Sequence, residues 1–277
     1  MMDGYIHMFD DYPEEAGKMT DEKKHEKRFV LESRIYSALK DRYMGPLKEY
    51  WSNYTVPSAS DTNRSIVIVE RRIHTNLEFI LYNAAYFARG WGITIICSDL
   101  NSDYIRGLLD PVKHSTVNII QAFEGNPEPS VGKNEYNYLL QTLEFYESLP
   151  CENLLFMEMD TYLRKPLPES ILAYEYLASP YRWDTCTQGG GLSYRKKSAM
   201  IRVCSEYSEM VPAQDIFAYR GMKALGLCLA PFEVACEIFC ESYVYYDPIG
   251  FHQWWTFFHL GLEDAENICN TYMTLEV

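Results

Sequence analysis

Two carboxylates one residue apart, Glu158 and Asp160, follow the apolar run Leu154-Leu155-Phe156-Met157. The run has the length of a buried parallel strand and lies between Pro150 and Pro166. Extended backbone carried on to Asp160 would alternate side chains and aim both acids the same way. Acids so aimed repel each other unless a cation or a proton sits between them. Ligands of open α/β sheets also collect at the carboxyl ends of strands. The pattern points to a divalent metal site that holds a diphosphate. Hard oxygen ligands suit Mn²⁺ or Mg²⁺.

Four more stretches could share the work. Val69-Glu70-Arg71-Arg72 closes the β-branched run that begins at Ile66, where a nucleotide could lie against Glu70, Arg71 and Arg72; exposed polar residues are the bland alternative. Lys133 is a further candidate for a nucleotide contact. Gln188-Gly189-Gly190-Gly191-Leu192-Ser193 would let backbone approach a sugar closely, or would simply make a flexible hairpin turn. Asp215, in Pro212-Ala213-Gln214-Asp215, opens a predicted helix and is either a first-turn acid or a general base for an acceptor hydroxyl. His252, in a loop rich in Gly and aromatics, is a third metal ligand, a diphosphate donor or a structural histidine, with His259 competing for the role. Trp183, Trp254 and Trp255 could stack on an acceptor sugar or pack in the core. No Walker loop and no GxGxxG occurs.

The net charge of -14 argues against non-specific binding to nucleic acid or to an anionic membrane. It also means that a phosphate ester could be held only where a local cation reverses the field. Eight cysteines without a CxxC pair read as free thiols in a reducing compartment, with Cys236 and Cys240 spaced to share one helix face. Residues 1–27 are too charged for a signal peptide, and no apolar run nears the roughly 20 residues of a membrane span. A soluble, cytoplasmic protein is expected.

Elements must position these residues. Residues 1–60 read as an N-terminal helical extension and 61–277 as the main domain. In the extension a helix over 20–43 carries Leu31, Ile35, Ala38, Leu39 and Tyr43 on one side, stops at Gly45-Pro46, and leads to a linker at 58–60. Its apolar side would pack on the domain or on a partner, a second copy included. Strands are expected at 66–69, 93–97, 117–120 and 154–157, with helices at 76–89, 102–109 and 136–149 between them. That alternation predicts an α/β fold with a mostly parallel, Rossmann-like central sheet flanked by helices. Beyond Asp160, strands are expected at 174–177 and 191–194 around a Gly-Gly-Gly turn, then at 227–230 and 243–246, with helices at 197–209, 214–224 and 232–241.

In order and spacing, Ile-Val-Ile-Val-Glu-Arg-Arg, Glu-Tyr-Asn-Tyr-Leu-Leu, Leu-Leu-Phe-Met-Glu-Met-Asp, Gly-Gly-Gly-Leu-Ser-Tyr-Arg, Gln-Asp-Ile-Phe and Pro-Ile-Gly-Phe-His resemble a group of GT-A fold glycosyltransferases long described as a domain of unknown function. The resemblance spans roughly residues 65–255. It implies that Asp160 carries the principal metal-binding role, with Glu158 at the first position of a DxD-type motif. It also implies that Gly189, Gly190 and Gly191 form the glycine loop, that Asp215 holds the base position, and that His252 is the late histidine. Two departures stand out: the motif is Glu-x-Asp, and the residue before Asp215 is Gln214. The resemblance leads to the expectation of metal-assisted sugar transfer from a nucleoside-diphosphate sugar, UDP favoured, to a hydroxyl of a glycan or other acceptor. Asp215 would act as base, with inversion. One rival is a sugar-phosphate nucleotidyltransferase, although Val69-Glu70-Arg71-Arg72-Ile73 lacks the glycines such enzymes place after the first strand. The other is a non-catalytic carbohydrate- or partner-binding module.

Overall fold

The computed structural model describes residues 5–9, 21–109, 111–124, 129–184, 186–209, 211–256 and 264–277. Along the chain, helices α1 (Asp21–Asn53) and α2 (Ala59–Thr62) lead into β1 (Arg64–Val69), α3 (Leu77–Phe87), β2 (Gly92–Ser98), α4 (Ser102–Gly107), α5 (Pro111–Thr116) and β3 (Asn118–Phe123). Next come α6 (Pro129–Leu139), α7 (Leu143–Ser148), β4 (Asn153–Met157), β5 (Thr161–Leu163), β6 (Tyr176–Pro180) and β7 (Gln188–Lys196). The described chain closes with α8 (Lys197–Glu206), α9 (Gln214–Ala224), α10 (Phe232–Ile238), β8 (Phe239–Cys240), β9 (Gly250–His252) and α11 (Ala265–Tyr272).

Six strands form the main sheet in the order β3-β2-β1-β4-β7-β6. The run from β3 to β4 is parallel, whereas β7 is antiparallel to both β4 and β6. The sheet is therefore mixed, where the sequence predicted a mostly parallel one. The reason is local: the short loop 181–187 between β6 and β7 leaves no room for a crossover, so the pair must be antiparallel. Alternation within the central strands splits the core between two faces. Ile66, Ile68, Leu155 and Met157 join the core cluster that includes residues of α1 and α3; Val67, Val69, Leu154 and Phe156 join the one that includes residues of α7, α8 and α9.

Strand order places the crevice. The chain steps outward from β1 to β2 and β3, then returns to lay β4 on the other side of β1. Such a reversal opens a gap at the carboxyl ends of the two strands, here those of β1 and β4. A smaller sheet, β5-β9-β8, begins just after β4 and brings residues 239–240 and 250–252 beside 161–163.

Several expected boundaries move. Helix α1 does not stop at Gly45-Pro46 but runs through to Asn53 with Pro46 inside it. A proline in a helix interior costs roughly 3 kcal/mol; burial of Leu47 and Trp51 beyond it offsets this, because both continue the stripe of Leu31, Ile35, Leu39 and Tyr43. The apolar side of α1 is thus buried within this chain. The expected linker at 58–60 is the start of α2, whose Ala59 backbone would stand 2.4 Å from a Cβ at Gly92. The predicted helix over 136–149 is two helices, broken where extended Thr142 caps the second by accepting from Phe145 N. Residues 227–230 make only an isolated bridge, Tyr176 with Leu229, and 243–246 form no strand. Cys240 sits in β8 rather than beside Cys236 on a helix, since residues 239–240 are drawn into pairing with β9; both thiols are free and buried. Among the described residues, no helix is long and apolar enough to cross a membrane.

Candidate functional site

Strand β4 ends at Met157, and 158–160 turn rather than continue it. The aim of the two acids is therefore set by the turn, not by strand alternation. Glu158 N donates to Gly191 O of β7 at 2.9 Å, and Thr161 Oγ1 donates back to Glu158 O at 2.7 Å. Beyond the turn, β5 pairs with β9 so that Thr161 faces His252, and Gln253 N donates to Asp160 O. That register carries the histidine to the acids from about ninety residues further along the chain.

One ligand atom each from Glu158, Asp160 and His252 lies within 4.8 Å of the others, a group that could hold a metal ion. His252 Nε2 is 3.3 Å from Asp160 Oδ1 and 4.0 Å from Glu158 Oε2. Burial alone would raise Asp160, but the His252 and Arg28 cations beside it win and hold its carboxyl down to about 2. Burial raises Glu158, with Asp160 adding to the shift, while Tyr136 donates its hydroxyl to Glu158 Oε1 at 2.6 Å. His252 goes the other way: burial would lower it, yet Asp160 and Glu241 lift it well above the ordinary imidazole value. A metal ion at Nε2 would have to displace that proton.

The three glycines form neither a loop nor a hairpin turn. They lie buried within β7, where the pairing with β6 slips between Ala178 and Ser179. Neighbouring side chains fill the space a methyl group would need. A Cβ on Gly189 would meet Tyr181 and Asp215; on Gly190, with φ at +101°, it would meet Glu241 and His252; on Gly191, Glu158. The strand is thus a floor on which the charged groups rest. Backbone donors complete it: Gly190 N to Asp215 Oδ2 at 2.7 Å, and Gly191 N to His252 Nδ1 at 3.0 Å.

Asp215 opens α9 and is fixed by three donors: Tyr181 Oη and Gly190 N on Oδ2, and Ile216 N on Oδ1. Its neighbour Gln214 faces away and accepts from the buried Arg195 guanidinium at 2.6 Å. An amide there, rather than a second acid, turns a neutral acceptor towards a cation that also bonds Tyr146 Oη and Ser193 Oγ.

The structure brings together Glu158, Asp160, Gly189, Gly190, Gly191, Asp215 and His252. The proposed nucleotide contacts are placed differently. Glu70 turns its carboxylate onto Arg72, Arg71 lies 3.8 Å from Glu135, and Lys133 is exposed on α6, one turn before Tyr136. Trp254 and Trp255 are fully buried, whereas Trp183 is 64% exposed and stacks on Tyr181, the residue that holds Asp215. His259 lies outside the described residues.

Four groups at the site went unnoticed in the sequence. Glu241 Oε2 is 3.2 Å from His252 Nδ1, Arg28 Nη2 is 2.9 Å from Asp160 Oδ2, and Tyr136 and Tyr181 hold the carboxylates already named. Only Tyr136 had a signal, standing in the Glu-Tyr-Asn-Tyr piece of the resemblance. Glu241 and Arg28 sit at spacings that mean nothing until the chain is folded.

A family model described as "Protein of unknown function (DUF5672)" matches residues 122–252. The match runs from within β3 to the end of β9, taking in Glu158, Asp160, the glycines, Asp215, Glu241 and His252, and leaving out α1. No curated protein matches the chain.

Proposed function

We propose that this chain is a metal-dependent glycosyltransferase of GT-A-like fold. It moves a sugar from a nucleoside-diphosphate sugar, a UDP-sugar in the first instance, to an acceptor hydroxyl. The observation that carries this reading is one glycine floor contacting two functional units: the Glu158, Asp160 and His252 group on one side and Asp215 on the other. The crevice between the ends of β1 and β4 is where a doubly wound sheet receives its ligand. The parallel run from β3 to β4, extended by the antiparallel pair β7 and β6, is the arrangement we read as GT-A-like.

The donor set fits the ion. Two carboxylates and an imidazole suit Mn²⁺, with Mg²⁺ a poorer match because it prefers oxygen alone. A divalent ion there would neutralise the charge that develops on the departing diphosphate. The protein's own groups do the rest. Asp160 stays ionised, Tyr136 orients Glu158, and Asp215, held rigid by Tyr181 and Gly190, receives the proton of the attacking hydroxyl. Attack from the side opposite the leaving group inverts the anomeric carbon.

The test is a thermal-shift screen of nucleoside diphosphates with and without Mn²⁺, followed by assay of donor turnover. The expected result is stabilisation by UDP that requires Mn²⁺ and disappears in Asp160→Ala, with nucleoside diphosphate as product. Pyrophosphate release from a nucleoside triphosphate would overturn it in favour of nucleotidyl transfer. Glycan binding that survives Asp160→Ala without any donor turnover would mark a binding module.

A further inference from the structure

Helix α1 lies outside the family match, yet it reaches the site. Its later turns are anchored in the core by Ile35, Leu39, Leu47 and Trp51. Its early turns point at the metal-capable group. Arg28 Nη2 lies 2.9 Å from Asp160 Oδ2, the carboxylate oxygen opposite the one that faces His252. One helical turn on, Glu32 accepts from Asn76 Nδ2 at 3.3 Å, and the same amide holds Met159 O at 3.1 Å. Residues four apart share a helix face, so α1 meets the 158–160 turn through two successive turns. Arg28 Nε, meanwhile, is buried with no hydrogen-bond partner among the described residues. A buried donor without an acceptor is costly, and an incoming anion would relieve it.

We propose that Arg28 is a diphosphate-binding residue that also competes with the divalent ion for the negative charge of Asp160. The inference rests on the reading of the site as a metal and nucleotide centre. With Arg28 on Oδ2 and the ion on Oδ1 beside His252 Nε2, the two cations draw on one carboxylate charge and repel each other. When the ion takes Oδ1, the hold of the guanidinium on Oδ2 weakens, and its planar fork of donors matches phosphate oxygens. Arg28 thereby couples the two ligands: it weakens the ion bound alone and strengthens the diphosphate bound with the ion. In a chain of net charge -14, a cation carried by α1 supplies attraction that most of the surface does not.

The coupling predicts effects of opposite sign. Mn²⁺ binding without nucleotide, and UDP binding at saturating Mn²⁺, are measured by titration calorimetry on the full chain and on Arg28→Ala and Arg28→Lys. Arg28→Ala should bind Mn²⁺ alone roughly two- to fivefold more tightly, the worth of a partly exposed ion pair. It should bind UDP with Mn²⁺ roughly tenfold or more weakly, the worth of a hydrogen bond to a charged group. Arg28→Lys should fall between, since it keeps the charge and loses the fork. Arg28→Gln, which keeps most of the side-chain length, replaces the alanine variant if that one does not fold. Unchanged affinities, or both weakened together as a purely structural role would give, overturn the proposal while leaving the functional reading intact. A wild-type chain that binds neither Mn²⁺ nor UDP overturns both.

Discussion

Oε2 of Glu241 lies 3.2 Å from Nδ1 of His252, on the ring edge opposite the nitrogen that faces Asp160. A carboxylate so placed selects the tautomer of a ligating histidine. It accepts Nδ1–H and leaves the Nε2 lone pair for a metal ion. The Gly191 N–H also points at Nδ1, so the ring has a second, competing partner whenever that nitrogen lacks its proton.

Glu241→Gln should therefore lower Mn²⁺ affinity by about 10- to 100-fold, the usual worth of such a supporting carboxylate. Calorimetric titration of the variant checks this. An affinity equal to that of the wild type would remove Glu241 from the metal centre.

Gly190 carries a positive φ and stands against Glu241 and His252, whereas Gly226 carries φ at +64° with open space beside it. Gly226→Ala should cost about 1–2 kcal/mol from backbone alone. Gly190→Ala should cost about 1–3 kcal/mol more, because the methyl group adds overpacking. Urea denaturation of the two variants separates the terms, and equal losses would show that the floor can yield.

Asp215→Asn keeps the shape of the side chain and one of its acceptors. Turnover should fall by about 10²- to 10⁴-fold, as for loss of a general base, while donor affinity holds. Steady-state kinetics with a turned-over donor decide it; near-full activity would return Asp215 to the role of a helix-start acid that orders Tyr181 and Gly190.

Burial, reinforced by Asp160, raises the Glu32 carboxyl from its ordinary 4.5 to about 7. The folded chain then holds this proton more tightly than the unfolded chain does. The contribution to stability is full below pH 4.5 and is lost as pH climbs through 7. Glu32→Gln mimics the protonated form and keeps an acceptor for Asn76. It should match the wild type near pH 4.5 and exceed it near pH 8, by at most about 3 kcal/mol at roughly 1.36 kcal/mol per unit. Melting curves at the two pH values test this; a variant less stable at pH 8 would mean that the ionised form is favoured in the fold.

Local patterning made much of the scaffold readable. Each of β1, β2 and β4 contains the run expected of it and extends it by one or two residues, and α9 begins and ends where its periodicity says. Patterning failed where a distant element overrode it. Pro46 is tolerated because Leu47 and Trp51 find a core, and the Gly-Gly-Gly stretch is a strand because charged side chains from four other segments need the room.

Residue type and short spacing marked Glu158, Asp160 and Asp215 as candidates, since acids at a strand tip and a helix start are local facts; His252 stood beside His259 until the order of the resembling pieces singled it out. Only the tertiary structure decided their company. Pairing of β5 with β9 brings His252 to Asp160, the reach of α1 adds Arg28, and the bend right after β8 supplies Glu241. Contacts between residues far apart in the chain depend on register and packing, and those are summed over the whole fold rather than written in any one segment.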